Sequence, residues 1–275
     1  MIHVGLTSSS PIFLSATPQN RFQALASRPL SWQVLPRHAL RSANVQSSHF
    51  SVYSSVSSDS SGATSLPVVD VIERDWSFLD VDTVNTNEER YRKADRVIAA
   101  GGIQNGSRVL VCMGSEFFVD RLVESAPTCE LLLVAHESLL ALAVIKEMYD
   151  SVRCWQGQIT ALPQRFTQFD AVFVCYFPGM GVSLDEFLGF VAGRCSPGAR
   201  LLISFDQGRE VVEGNHRQTY PDMVTADLPE RNALEKAAAD HAFHITEFVD
   251  EPTSYLAVLT FDGSGILAVV DRALV

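Results

Sequence analysis

The stretch that decides the fold is Arg108-Val-Leu-Val-Cys-Met-Gly-Ser-Glu-Phe-Phe-Val-Asp-Arg-Leu-Val-Glu124. The apolar run from Val109 to Cys112 is typical of a strand buried on both faces. Gly114 and Ser115 make a turn, and the apolar spacing that follows from Val119 predicts an amphipathic helix. A strand, a glycine turn and a helix open many cofactor-binding α/β units. This turn is poorly suited to bind a phosphate or a cofactor, because it has one glycine where such loops usually carry two or three.

The first part of the chain has a different composition from the rest. Residues 1–58 contain no Asp, Glu or Lys, and their basic residues are four arginines set among many serines. This composition is typical of an organelle transit peptide, and a disordered tail is the alternative. The serine bias, without a strong basic amphipathic helix, favours the chloroplast. We expect a transit peptide over 1–58, a linker over 59–69 and an α/β domain over 70–275.

The remaining chain is strongly acidic, with 17 Lys and Arg against 32 Asp and Glu and a net charge of −15. Such a domain should repel phosphate groups, which argues against general nucleic-acid binding. Charges interrupt the apolar stretches well before 18 residues, so no membrane-spanning helix is expected. The five cysteines show no paired spacing. Neither a zinc site nor a disulfide framework is therefore predicted.

Apolar runs and amphipathic stripes alternate along the chain. Strands are predicted over 130–135, 152–155, 169–176 and 200–205, and helices over 137–149 and 183–195. A helix capped at Thr86 precedes the first strand, and one capped at Asp227 follows the fifth. Trp76, Phe78 and Leu79 are expected to pack a leading segment onto the core. Residues 206–226 are predicted to form a long polar loop, a candidate lid or substrate loop.

The last two predicted strands, 244–249 and 255–261, are joined by five residues. Five residues are too few for a parallel crossover, so this pair must be antiparallel. The whole pattern predicts a doubly wound seven-stranded α/β sheet, mostly parallel with one antiparallel strand. A ligand site is expected beyond the carboxyl ends of the strands, beside the first one.

Two further segments carry a family resemblance. Gln158-Ile-Thr-Ala-Leu-Pro163 precedes Phe169-Asp-Ala-Val172, and a helix from Leu184 leads into Ser196-Pro-Gly-Ala-Arg-Leu-Leu-Ile-Ser204. With the closing hairpin, this order resembles the class I S-adenosylmethionine-dependent methyltransferases over roughly residues 85–262. The resemblance implies a Rossmann-like methyltransferase fold, S-adenosylmethionine as cofactor and a small-molecule acceptor.

The resemblance also implies site residues. The expected cofactor residues are Met113, Gly114, Ser115, His136, Glu137, Gln158, Ile159 and Tyr176, and the expected acceptor residues are Phe177, His216 and Tyr220. Glu137 would hold the ribose hydroxyls, or it merely complements a helix dipole. Two alternatives are open for Tyr176 and Phe177, which either shape a ligand pocket or only pack against the end of the strand. His216 and Tyr220 either contact the acceptor or face the solvent.

The first-strand motif departs from the pattern of the family. Where the family carries an acid and then alternating glycines, this chain has Val111, Met113, Ser115 and Phe117, and Gly114 is out of step. Glycine there allows the backbone to approach the cofactor closely. Two functions therefore stay open: methyl transfer to a small molecule in the plastid, or a catalytically inactive protein that keeps the fold as a binding or scaffold module.

Overall fold

The structure is a computed structural model that describes residues 73–80 and 85–263. The predicted transit peptide, the predicted linker and the tail 264–275 lie outside the described residues. The described chain alternates strands and helices as its hydrophobic pattern predicts. The strands are β1 Arg108–Cys112, β2 Leu131–His136, β3 Arg153–Gln156, β4 Phe169–Val174, β5 Cys195–Phe205, β6 Phe243–Glu251 and β7 Ser254–Phe261.

The helices lie between these strands. They are α1 Asn87–Ala100, α2 Glu116–Ser125, α3 Leu139–Met148, α4 Leu184–Ala192, α5 Arg209–Val211, α6 Arg217–Thr219 and α7 Arg231–Asp240, with a π-helical turn at Val212–His216. Short 3-10 helices occur at Ser77–Leu79, Ile159–Ala161 and Phe177–Gly179. Thr86, Ser115, Ser138 and Ser183 cap α1 to α4, each with its side-chain oxygen accepting a backbone N–H.

All seven strands form one sheet in the order β3-β2-β1-β4-β5-β7-β6. The pairs from β3 to β5 are parallel, and β7 runs antiparallel to both of its neighbours. The prediction of a mostly parallel seven-stranded sheet with one antiparallel strand is confirmed. The strand order changes direction at β1, so the carboxyl ends of β1 and β4 border the crevice where such sheets bind ligands.

The two faces of the sheet bury separate apolar layers. Val109 and Val111 of β1 point toward the layer formed with α1, α2 and α3, whereas Leu110 and Cys112 point toward the layer formed with α4 and α7. This alternation follows from the two-residue period of a strand, and the continuous apolar run fits a strand covered on both faces. Helix cover on both faces is what the chain order predicts.

Two local predictions were wrong. Residues 206–226 are not a simple loop, because α5, the π turn and α6 occupy 209–219. The helix predicted to be capped at Asp227 instead begins at Arg231, with Glu230 as an N-cap whose side chain makes no capping bond. The Asp227 carboxylate pairs with the Arg217 guanidinium. That pairing joins the segment before α7 to α6 and takes the capping group away from the helix.

Candidate functional site

The turn after β1 has an unusual backbone. Met113 has φ 53°, a left-handed conformation that glycine adopts more easily than methionine. Its N–H donates to the Ala135 carbonyl at 3.0 Å, which ties the turn to the end of β2. Gly114 is needed for packing, since an added Cβ would lie 2.5 Å from Val111 Cγ1. The left-handed backbone conformation therefore occurs at Met113, one residue before Gly114.

A narrow cavity, here called the β2 crevice, opens beside this turn at the ends of β1, β2 and β3. It holds about 230 Å³ of atom-free space. Its walls come from Cys112, Met113, Ala135, His136, Glu137, Gly157, Gln158, Ile159 and Met180. Five of the eight predicted cofactor residues thus share one cavity, namely Met113, His136, Glu137, Gln158 and Ile159.

The two polar side chains from the end of β2 are held by neighbours in the chain. His136 is 2% exposed, and its Nδ1 accepts the Ser138 N–H at 2.9 Å. Burial lowers the pKa of His136 to about 4, with the Glu73 carboxylate opposing the shift, so the imidazole is neutral at pH 7. The Glu137 carboxylate lies 3.5 Å from the Arg74 guanidinium. Burial raises the pKa of Glu137, and Arg74 opposes that shift.

Residues 73–80, here called the strap, lie along the β2 crevice. Glu73 accepts hydrogen bonds from Ser138 Oγ at 2.5 Å, from the Leu139 N–H at 2.9 Å and from the Leu140 N–H at 3.4 Å. This carboxylate caps α3, because it faces the unpaired N–H groups and positive dipole of the helix start. Glu137 precedes the N-cap Ser138, so it is not the first-turn carboxylate that the sequence offered as its alternative role.

The aromatic residues of the strap pack onto the strand ends. Trp76 is 5% exposed, and its ring meets His136 edge-on with centroids 5.7 Å apart. It also lies on Gly179, where an added Cβ would come within 2.7 Å of the indole. Phe78 stacks on Tyr220 with centroids 4.2 Å apart. The predicted packing of a leading segment through Trp76, Phe78 and Leu79 is confirmed, since all three are buried.

A larger cavity, here called the α1 cavity, lies on the other side of Met113. It holds about 780 Å³ of atom-free space between α1, the start of α2 and the ends of β4, β5 and the β6–β7 hairpin. The predicted cofactor residues Ser115 and Tyr176 line it, and Met113 lines both cavities. Gly114, also a predicted cofactor residue, lines neither the β2 crevice nor the α1 cavity. Met113 is therefore a wall that the two cavities share.

The predicted acceptor residues lie away from both described cavities. Phe177 is buried against Phe187, with ring centroids 5.8 Å apart. His216 is 4% exposed, and its Nδ1 lies 3.0 Å from Tyr176 Oη. Burial lowers the pKa of His216 and raises the pKa of Tyr176. Tyr220 packs on the strap. His216 therefore faces neither the solvent nor an open pocket but closes an aromatic cluster beneath the strap.

Sequence reasoning missed the basic side chains of α1. Arg90, Lys93 and Arg96 all line the α1 cavity. The Arg90 guanidinium stacks over the Phe117 ring at 4.2 Å, a cation–π contact. Lys93 Nζ donates to the Asp206 carbonyl at 3.0 Å and to the Thr253 carbonyl at 2.6 Å. The capping signal at Thr86 predicted the helix, but no sequence signal showed that its basic face would border a cavity.

Comparison with known proteins supports the architecture. No protein-family model and no curated protein matches the sequence. A chain of the complex between the Haloferax volcanii Trm112 methyltransferase activator and a methyltransferase superposes with a TM-score of 0.53 at 14% identity, over 63% of this chain and 90% of that one. An S-adenosylmethionine-dependent methyltransferase from Mesorhizobium loti gives 0.51 at 12% identity, over 60% and 96%. The fold is the Rossmann-like methyltransferase fold. Such distant likenesses establish the fold alone.

The described residues show neither a membrane-spanning helix nor a cluster of metal ligands. Within 73–80 and 85–263, no helix combines the length and apolar character needed to cross a bilayer. The same residues contain no group of three or more His, Cys, Asp or Glu side chains placed to hold a metal ion. Burial raises the pKa of the Cys112 and Cys175 thiols, so both are protonated. Cys112 is a core residue, whereas Cys175 is partly buried and lines the α1 cavity.

Proposed function

We propose that the protein is an S-adenosylmethionine-dependent methyltransferase that acts on a small molecule in the plastid. The observation that carries the proposal is the convergence of Met113, His136, Glu137, Gln158 and Ile159 on the β2 crevice. These residues come from the ends of three adjacent parallel strands of a methyltransferase fold. A fold alone does not fix a function, so the proposal rests on this shared lining.

The chemistry of the lining fits a nucleoside. The Glu137 carboxylate can accept two hydroxyl donors, as the ribose of the cofactor requires. The Gln158 side chain offers an amide to the edge of a base. Ile159 and Met180 offer buried apolar surface to its faces. These groups would hold the cofactor, which supplies an electrophilic methyl group when it is bound.

The β2 crevice could hold a nucleoside only after a local change in its walls. The β2 crevice is much smaller than the sites that usually hold small molecules, which have volumes of about 300–1,000 Å³. The α1 cavity adjoins it, and Met113 lines both. Methionine has three rotatable bonds and adapts readily to its surroundings. Rotation of this one side chain would join the two spaces.

The residues around the joined space favour transfer by positioning. A cavity with mostly apolar walls can hold an acceptor in line with a methyl donor without a dedicated acid or base. Tyr176 also lines the α1 cavity, and burial raises the pKa of its phenol, so the hydroxyl is protonated. That hydroxyl lies 3.0 Å from His216 Nδ1 in the buried aromatic cluster, so it is not poised to remove a proton from a bound molecule.

Calorimetric titration of the full chain with S-adenosylmethionine and S-adenosylhomocysteine tests the proposal. We expect both to bind and to raise the melting temperature. Glu137→Ala should weaken binding by about 1.5–3 kcal/mol, the value of a charge-assisted hydrogen bond. Glu147→Ala, on the exposed side of α3, is the matched control and should bind normally. No heat and no thermal shift at millimolar ligand would overturn the proposal.

The plastid location rests on composition alone and needs its own test. A fluorescent protein fused after residue 72 should enter chloroplasts when expressed in leaf cells. Replacing the four arginines of residues 1–58 with glutamine should reduce import, since transit peptides depend on a basic, acid-poor composition. Uniform fluorescence outside plastids would remove the location and leave the binding proposal untouched.

The alternative function is a scaffold that has lost the cofactor. It is favoured by the Arg74–Glu137 pair, which already satisfies the carboxylate expected to hold the ribose. Arg74→Gln separates the two functions, because it frees Glu137 at the cost of a half-exposed ion pair. If S-adenosylhomocysteine binds the wild type weakly and this variant more tightly, the β2 crevice is a nucleoside site. If neither protein binds it, the scaffold function stands.

A further inference from the structure

We propose that the α1 cavity is the acceptor site and takes a largely apolar, ring-containing molecule that carries a carboxylate. This inference rests on the proposed methyl transfer and names the substrate class for it. It moves the acceptor away from Phe177, His216 and Tyr220, which pack in the core or beneath the strap.

The walls of the cavity select for an apolar body. Phe117, Phe118, Phe205 and Tyr255 contribute aromatic rings, and aliphatic side chains fill much of the remaining lining. Aromatic walls contact flat, ring-shaped molecules over a large area, and pockets of this kind bind ligands mainly by removing apolar surface from water. The α1 cavity is larger than the β2 crevice and has mostly apolar walls.

The charge of the cavity selects for an anion. Arg90, Lys93 and Arg96 line it, against Asp206 as the acid of the described lining. All three cations have an acidic neighbour. Lys93 bonds to the Asp206 and Thr253 carbonyls and lies 3.5 Å from Glu89, and the Arg96 guanidinium lies 2.5 Å from Glu247. Arg90 pairs with Asp206 at 3.6 Å, but its Nε makes no hydrogen bond within the described residues, so Arg90 is the cation that a ligand can still engage.

Arg90 has an unmet donor. Its Nε is buried and has no hydrogen-bond partner among the residues described, and the nearest carboxylate oxygen, Asp206 Oδ2, is 3.6 Å away. The guanidinium is held flat against Phe117 and is only 17% exposed, so water cannot freely satisfy it. A carboxylate in the cavity would accept hydrogen bonds from the guanidinium of Arg90 in the planar geometry that arginine favours.

Binding of a matched pair of probes to the full chain tests the inference. We use 2-naphthoate and its neutral carboxamide, which share a ring system and differ in charge, and follow both by calorimetry. The carboxylate should bind at least about tenfold more tightly than the amide, a difference that a charge-assisted pair supports. Equal affinities, or no binding of either probe to the wild type, would overturn the inference without any need for a variant.

Two variants of α1 assign the effect to one residue. Arg90→Gln should remove the preference for the carboxylate, and Arg90→Lys should keep part of it. Arg92→Gln is the matched control on the same helix, because the Arg92 side chain is 78% exposed and lies outside the cavity lining. Preserved discrimination in Arg90→Gln, once its folding is verified by circular dichroism, would contradict the assignment.

A parallel titration with S-adenosylhomocysteine separates the two possible sources of the carboxylate. If Arg90→Gln weakens S-adenosylhomocysteine and leaves 2-naphthoate unchanged, the arginine serves the methionine carboxylate of the cofactor and the inference is overturned. If the wild type binds 2-naphthoate selectively but not S-adenosylhomocysteine, the methyltransferase proposal fails, and the α1 cavity remains a site for apolar carboxylates.

Discussion

The β2 crevice and the α1 cavity share the side chain of Met113 but differ in how their polar groups are satisfied. In the crevice, Glu137 pairs with Arg74 and His136 accepts a backbone N–H, both from within the chain. In the cavity, Arg90 Nε is buried without a partner among the described residues. A ligand entering the crevice must therefore share or replace intramolecular contacts, whereas a ligand in the cavity can supply the hydrogen bond that Arg90 Nε lacks beside its 3.6 Å ion pair with Asp206.

The largest expected effect concerns the aromatic anchor of the strap. Trp76→Ala should lower the free energy of unfolding by about 3–5 kcal/mol, because it removes a buried indole packed on His136 and Gly179. Urea denaturation followed by circular dichroism measures the loss. Leu140→Ala is the control: its side chain is 68% exposed, and its effect should stay within about 0.5 kcal/mol. A similarly small effect of Trp76→Ala would mean that the strap does not cover the crevice in solution.

The next effect tests whether the polar lining of the crevice is buried in solution. The pKa of His136 is lowered from 6.5 to about 4, mainly by burial. Between these values the unfolded chain binds a proton that the folded chain does not, so stability is full above about pH 6.5 and falls as the pH drops toward 4. The folded protein should lose about 2 kcal/mol at this site between pH 7 and pH 5.

The pH effect is measured by denaturation at several pH values, with a variant as reference. His136→Asn keeps an acceptor for the Ser138 N–H but cannot titrate, so its stability should fall less over the same range. His216, whose pKa burial also lowers, contributes a loss of the same sign in both proteins and cancels in the comparison. Identical pH profiles for the wild type and His136→Asn would show that His136 is accessible to water.

The smallest effect concerns the side chain shared by the two cavities. Met113→Gly and Met113→Ala both remove the thioether, but only glycine suits the left-handed backbone at φ 53°. Met113→Gly should therefore be more stable than Met113→Ala by about 1 kcal/mol. If the thioether must move before a nucleoside binds, both variants should bind S-adenosylhomocysteine about fivefold more tightly than the wild type. Weaker binding by both would assign Met113 to the contact surface of the ligand.

The fold could be predicted because its signals are local and repeated. The buried run of β1, the capping signal of α1 at Thr86 and the short connection between the last two strands each specify their element independently. The errors fell where tertiary contacts overrode local signals. Asp227 looked like a helix cap, but in the folded chain its carboxylate pairs with Arg217, ten residues earlier.

The candidate site was predictable only in part. Residues at strand ends, such as His136 and Gln158, could be placed because parallel strands bring their carboxyl ends to one edge. The packing of Trp76, Phe78 and Leu79 was also predicted, but the place of Arg90 at a cavity and the contact of Glu73 with α3 were not, because they depend on how elements distant in sequence pack together. Glu73 reaches Ser138 across 65 residues, and no periodicity in the sequence records that contact.

The contact between Glu73 and the start of α3 makes the position of any proteolytic processing consequential. Cleavage within the predicted linker 59–69 would leave the new amino terminus upstream of Glu73 and the helix cap intact. Trimming past Arg74 would delete Glu73 and the partner of Glu137 together. The shortened protein would keep Ser138 as the N-cap of α3 but would lose the Glu73 carboxylate at the start of that helix, and it would leave Glu137 without its partner beside the β2 crevice.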